Sequence, residues 1–201
     1  MFRSVFAATL LAYAEAAFKF GSCPDITTVE NFDRERYLGT WYEHARDEYT
    51  WYQYRSRCVV SDISLREDNS IKVMGYAFYK GWWGGWIDME ATLTEMDPVE
   101  TNRGELFFSE VSQEGPGPDS QPNYHILATD YDSFAIIYNC MEGTFWSYEN
   151  LWIKTRVPVA DESLQQAAFD IIQDQLPHYE IDEWLHLTKQ GDKCDYDARF
   201  D

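Results

Sequence analysis

The chain has 201 residues, 35 of them acidic against 16 basic, for a formal charge of −19 at pH 7, and 17% are aromatic. So large an acidic excess leaves no basic stripe for phosphates and sets the chain against nucleic acid and anionic membrane surfaces alike. Past the first 16 residues no apolar run approaches the ~20 needed to span a bilayer, so stable membrane insertion is not expected.

The opening stretch, MFRSVFAATLLAYAEA, has one early positive charge at Arg3, an apolar run from Val5 to about Ala14, and small residues at Ala12, Ala14 and Ala16. That pattern predicts a secretory signal peptide over residues 1–16, cut after Ala14 or Ala16. No linker-like stretch divides the rest of the chain, so residues 17–201 read as one domain. An exported chain with an even cysteine count implies disulfides. Cys23, Cys58, Cys140 and Cys194 allow three connectivities. No Cys-x-x-Cys pair occurs, and His44, His125, His178 and His186 show no ligand spacing, so no metal site is expected.

From Tyr37 to Arg156 the chain is a succession of segments rich in Val, Ile, Tyr, Phe and Trp, broken by turn residues every ten to fifteen positions. Eight strands emerge: YLGTWYEHAR, CVVSDISLRE, IKVMGYAFYK, GWIDMEATLTE, GELFFSEVS, NYHILATDY, SFAIIYNC and FWSYENLWIKTR. Glu67-Asp68-Asn69-Ser70 suits a tight hairpin, and Gln113 to Pro122 a longer loop. Short connections make this an antiparallel meander, and closure into a barrel removes its exposed edges. The expected class is all-β, an eight-stranded antiparallel up-and-down barrel.

In the third strand Val73, Gly75, Ala77 and Tyr79 share one face. If Gly75 and Ala77 point inward they leave volume that such a barrel can use for one small ligand; otherwise they mark tight packing or a bulge. After the strands the period changes. Asp161 can cap a helix on which Leu164, Ala167, Ala168, Ile171, Ile172 and Leu176 recur until Pro177, predicting one C-terminal α-helix packed outside the barrel. The tail alternates again at Trp184, His186 and Thr188, which predicts a short strand before Cys194 anchors the end.

Three separated motifs occur in order: Gly39-Thr40-Trp41 opening the first strand, Thr129-Asp130-Tyr131 before the seventh, and Arg156 ending the eighth. In this the chain resembles the lipocalin family. The resemblance implies that Trp41 closes the narrow end of the barrel with the Arg156 guanidinium lying across its ring. These motifs are structural, and no catalytic residue is expected. The cysteine positions and the stretch LATDYDSFAIIYNC resemble the apolipoprotein D and insect bilin-binding branch, whose pairing would be Cys23 with Cys140 and Cys58 with Cys194. Two departures stand out: there is no Asn-x-Ser/Thr acceptor, and the hairpin KGWWGGW is far more aromatic than the family norm. Trp82, Trp83 and Trp86 there suit either a lid over the mouth or a surface for a partner.

The resemblance implies a secreted carrier of a small hydrophobic ligand. Alternation in register with the motifs proposes inward residues: Glu43 and Ala45 on the first strand, Ser61 and Ile63 on the second, and Val73, Gly75, Ala77 and Tyr79 on the third. Met89, Ala91 and Leu93 come next on the fourth, Tyr124 and Ile126 on the sixth, Ala135 and Ile137 on the seventh, and Trp152 on the eighth. A one-residue slip would invert any of these sets. Glu43, if inward, would have its pKa raised by burial or would accept from a ligand donor such as a pyrrole N–H; if outward, it is a solvated acid. The aromatic load favours a flat chromophore, a bilin such as biliverdin first, with fatty acid, sterol, retinoid or carotenoid as alternatives. No cofactor is required. A lumenal isomerase-type enzyme and a ligand-free interaction protein are the competing classes. The oligomeric state is not legible.

Overall fold

The computed structural model describes residues 18–48, 50, 53, 55–80, 84–96, 102–111, 113–117 and 119–200. The expected signal peptide, Trp82 and Trp83 lie outside the described residues. Strands β1 (Phe18–Phe20), β2 (Gly39–Asp47), β3 (Ser56–Leu65), β4 (Ile71–Tyr79), β5 (Gly85–Glu95), β6 (Glu105–Glu110), β7 (Tyr124–Thr129), β8 (Phe134–Glu142), β9 (Trp146–Thr155) and β10 (Leu185–Leu187) form one antiparallel sheet. β2 to β9 pair in sequence order, and β9 pairs back onto β2 from Tyr42↔Thr155 to Arg46↔Trp152, closing an eight-stranded barrel. β1 adds to β9 beyond that contact.

Helices α1 (Arg34–Tyr37), α2 (Glu162–Gln175) and α3 (Ile181–Trp184) and a 3-10 turn (Asp197–Phe200) complete the fold. The Asp161 carboxylate caps α2, accepting from the Leu164 N–H at 2.8 Å. The helix lays Ala168, Ile172 and Leu176 against Ile136, Leu151 and Ile153, which point out of the barrel wall from β8 and β9. A second core lies inside: Phe32, Tyr37, Trp41, Leu93, Leu106 and Tyr131 are among the side chains that pack the lower barrel solid.

The tail does more than add a strand. β2 pairs with β3 only from Gly39↔Ile63 to Tyr42↔Val60. Above that β10 takes the vacated edge of β2, from Leu187↔Ala45 to Leu185↔Asp47. Gln190 Nε2 then bridges the parted strands, donating to the carbonyls of Glu43 (2.9 Å) and Val59 (2.8 Å). Disulfides join Cys23 to Cys140 and Cys58 to Cys194. The second rivets this wedge to β3, and the first ties the N-terminal segment to β8.

Candidate functional site

The closed end is built by the three motifs. Arg156 Nε donates to the Tyr131 carbonyl at 2.9 Å, Nη1 to Thr40 at 3.0 Å, and Nη2 to Arg36 at 2.8 Å and Leu38 at 2.9 Å. Its guanidinium carbon stands 3.7 Å from the centroid of the buried Trp41 ring, whose Nε1 donates to the Tyr37 carbonyl. Gly39 sits at φ +99°, and a Cβ there would come within 3.1 Å of Arg156 Nη1, so a side chain is excluded by backbone and contact alike. The Thr129-Asp130-Tyr131 turn is self-wired. The Asp130 carboxylate accepts from the N–H groups of Asp132, Ser133 and Phe134, and Thr129 Oγ1 accepts from that of Tyr131, at φ 70°. The Tyr131 hydroxyl in turn accepts from the Asp33 N–H, tying the turn to the cap of α1.

Above this plug the barrel is hollow. A cavity of about 590 Å³ is floored by Tyr37, Trp41, Ile63, Val73 and Ile137, and its volume lies within the range of small-molecule sites. One wall is Gly75, Ala77 and Tyr79 of β4 with Ile87 and Met89 of β5, and Phe108, Tyr124 and Trp152 add aromatic faces to the lining. The Phe108 and Tyr124 rings stack at 6.4 Å with 14° between planes. The Tyr37 and Tyr124 hydroxyls lie 2.7 Å apart. Burial pushes the Tyr124 hydroxyl up to about 12 and Tyr37 well above its usual value, so both stay protonated. Toward the mouth the lining turns polar, with Gln113, Asn123 and Asn139 beside the exposed acids Asp88 and Glu110.

Glu43 apart, the residues expected inward divide into three sets. Ser61, Ile63, Val73, Gly75, Ala77, Tyr79, Met89, Tyr124, Ile137 and Trp152 line the cavity. Ala91, Leu93, Ile126 and Ala135 also point inward, but they belong to the solid core of the closed end and meet no open volume. Ala45 faces the other way, into the core beneath α2. The reason is a bulge: Glu43 pairs with Lys154 and Ala45 with Ile153, so His44 is an extra residue and the alternation of β2 inverts there. Arg46 therefore takes the inward place expected for Ala45.

Glu43 lies inside the barrel with 0% exposure, but it is not free for a ligand. Its Oε1 accepts from Arg46 Nη1 at 2.6 Å and from the Thr188 hydroxyl at 2.7 Å, and its Oε2 from Gln53 Nε2 at 3.2 Å. Arg46 Nη2 also donates to the carbonyls of Gln53 and Ser56. Gln53 Oε1 accepts from the indole N–H of Trp152 at 3.1 Å, which fixes that ring in the wall. This network seals one side of the lumen and uses the tail wedge, through Thr188, to do so. The expectation of a ligand N–H on Glu43 gives way to an internal ion pair.

Lys154 also lines the cavity, two positions from Trp152 on β9, although the inward set expected for that strand holds Trp152 alone. Its Nζ donates to Ser61 Oγ at 3.2 Å. Burial pushes its pKa below the usual lysine value, against the pull of the Glu43 carboxylate and together with the push of Arg46. Ile87, Phe108 and Asn139 are further lining residues outside the expected sets. Ile87 and Asn139 continue the inward period of β5 and β8, and Phe108 lies on a strand for which no inward set is expected.

A lipocalin-like domain model matches residues 32–187, from the core phenylalanine below the plug to the end of β10. Apolipoprotein D of Cavia porcellus is 31% identical over 193 residues, covering 94% of each chain. The Lazarillo protein of Schistocerca americana is 27% identical over 184 residues, 88% of this chain and 78% of that one. Among solved structures, insecticyanin from the tobacco hornworm Manduca sexta superposes with a TM-score of 0.72 at 19% identity, over 89% of this chain and 91% of the other, a likeness of fold. Family model, full-length relative and plugged, hollow barrel agree: the chain belongs to the lipocalin family.

Proposed function

We propose that the protein stores or carries one small, largely apolar molecule in the barrel lumen. The observation that carries this reading is the cavity itself, about 590 Å³ of space with apolar and aromatic walls above a sealed floor. Burying ~300 Å² of apolar ligand surface at about 25 cal/mol/Å² offers roughly 7 kcal/mol before entropy costs, which a few polar contacts raise to micromolar binding. Flat, conjugated ligands suit the ring faces of Phe108, Tyr124 and Trp152, and a bilin such as biliverdin is the first candidate; fatty acid, sterol, retinoid and carotenoid come after it. Binding without catalysis is the reading favoured, since the four cysteines are paired and leave no thiol nucleophile. The signal-like residues 1–16, together with two disulfides, support an extracellular protein.

The test is titration with biliverdin, monitored by quenching of intrinsic tryptophan fluorescence and by the shift of the pigment's visible absorption. Trp41 and Trp152 line the cavity and report on it. Saturation at one ligand per chain is expected. Absence of uptake of biliverdin and of every alternative named above would remove the carrier reading.

A further inference from the structure

We propose that the lumen selects amphipathic carboxylates, and that Lys154 Nζ is the counter-ion for a carboxylate that enters head first and rests just above the Trp41 floor. This rests on the carrier reading and names the class of molecule carried.

Three charged side chains meet at this depth: Glu43, Arg46 and Lys154. Glu43 and Arg46 neutralise each other through the 2.6 Å contact, and both oxygens of Glu43 are already bonded. Lys154 is thus one positive charge in excess. Although its Cα pairs with that of Glu43 across the strands, no carboxylate among the described residues comes within 4.0 Å of its Nζ. The ammonium has three donors, and among the described residues one is taken, by the neutral hydroxyl of Ser61. A cation lining a cavity, with two donors unclaimed and no carboxylate within 4.0 Å among the described residues, and with the nearby Glu43 already paired to Arg46, is an arrangement that a bound anion completes. The lowered proton affinity that burial imposes on this lysine is the same deficit seen from the proton's side, and an incoming carboxylate reverses it.

The orientation is set by charge at the two ends. A head group left at the mouth would face the exposed acids Asp88 and Glu110 in a chain of net charge −19. At the floor it meets the ammonium. An apolar body then lies along Gly75, Ala77 and Met89, where β4 presents no bulk. Alternate positions along β9 and just past its end order the three functions by depth: Arg156 seals the barrel, Lys154 receives the head, and Trp152 flanks the body.

The experiment uses cis-parinaric acid and its methyl ester, one fluorescent chain with and without the charge, titrated into the full chain and into Lys154→Met and Lys154→Arg. The native protein is expected to favour the acid over the ester by about tenfold or more, as charge-assisted hydrogen bonds warrant. Lys154→Met should lose that preference by weakening the acid while leaving the ester within about twofold, since methionine conserves length and apolar bulk. Lys154→Arg should restore it. Equal affinity of native protein for acid and ester, or a Lys154→Met variant that keeps the preference, overturns this assignment and leaves the carrier reading intact. Uptake of neither probe, or of the apolar candidates named above, by the native protein overturns the carrier reading instead.

Discussion

Removing the plug should cost the barrel several kcal/mol, and the structure allows the figure to be worked out. In Arg156→Ala four hydrogen bonds to carbonyls are lost, those of Tyr131, Thr40, Arg36 and Leu38, together with the ring contact on Trp41. At about 1 kcal/mol net per hydrogen bond and about 1 kcal/mol for the cation on the ring, the gross loss is about 5 kcal/mol. The closed end lies near solvent, so water reaching the freed carbonyls recovers about 1–2 kcal/mol, leaving about 3–4 kcal/mol. For a domain of this size that is a fall in Tm of roughly 10 °C. Arg156→Lys keeps a charge over the indole, but a single ammonium cannot reach carbonyls on several sides, and about 2 kcal/mol is expected to go. Arg103→Ala is the control: its contact with Glu30 is 3.8 Å long and exposed, and its loss should cost no more than about 0.5 kcal/mol. Thermal and urea unfolding of the three variants decide the matter. An Arg156→Ala variant no less stable than Arg103→Ala would mean that the plug does not hold the closed end.

Three further outcomes rest on the same contacts. Cys58→Ala with Cys194→Ala opens a link between residues 136 apart, which the chain-entropy relation values at about 5 kcal/mol; reduced and variant protein should also lose hydrogen-exchange protection in β10, and unchanged protection there would contradict the wedge. Glu43→Gln leaves Arg46 buried without its anion and should cost about 3–5 kcal/mol in urea unfolding, whereas Glu43→Leu with Arg46→Met should recover most of it; a single variant as stable as the parent would speak against the ion pair. Burial holds the pKa of His44, bonded to Gln165 of α2, and of His125 below 6.5. Their unfolded forms bind a proton first as pH falls, so the stability they contribute is full above about pH 6.5 and is lost on acidification toward the folded pKa. His44→Gln should flatten the dependence of the urea midpoint between about pH 7.5 and about pH 5.5, and an unchanged slope would count against the burial of that ring.

Much of the fold is legible in the residues because barrel strands are written in period two. The small face of β4, Val73 to Tyr79, and the three plug motifs each carry their signal within a few positions, and the structure places them together as the resemblance implies. The features that escape the sequence are set by partners distant in the chain. The bulge at His44 turns Ala45 under α2 and brings Arg46 inward, and no local pattern marks it. Glu43 stands out in the sequence as an acid on an inward face, but its partners include Gln53 in a loop and Thr188 in the tail, 145 residues away. Alternation finds the inward face of a strand but not its depth, which is why Ala91, Leu93, Ile126 and Ala135 fall in the packed end rather than the cavity. Lys154 lies two positions from Trp152 on the inward period of β9, outside the set expected for that strand, and the closed barrel makes it a cation facing the cavity.

Filling the hollow is the sharpest test of a lumenal site. Gly75 lies in ordinary backbone geometry, and a Cβ there meets only the flexible Met89 methyl at 3.4 Å and the Met89 carbonyl oxygen at 3.8 Å. Gly75→Phe should therefore fold and project its ring into the cavity. Titration of native and Gly75→Phe protein with biliverdin and with cis-parinaric acid, at matched thermal stability, should show one site per chain in the first and at least about tenfold weaker uptake in the second, since the ring removes the volume that an apolar ligand needs. Equal binding by the two proteins would place any ligand outside the lumen and contradict the carrier reading built on it.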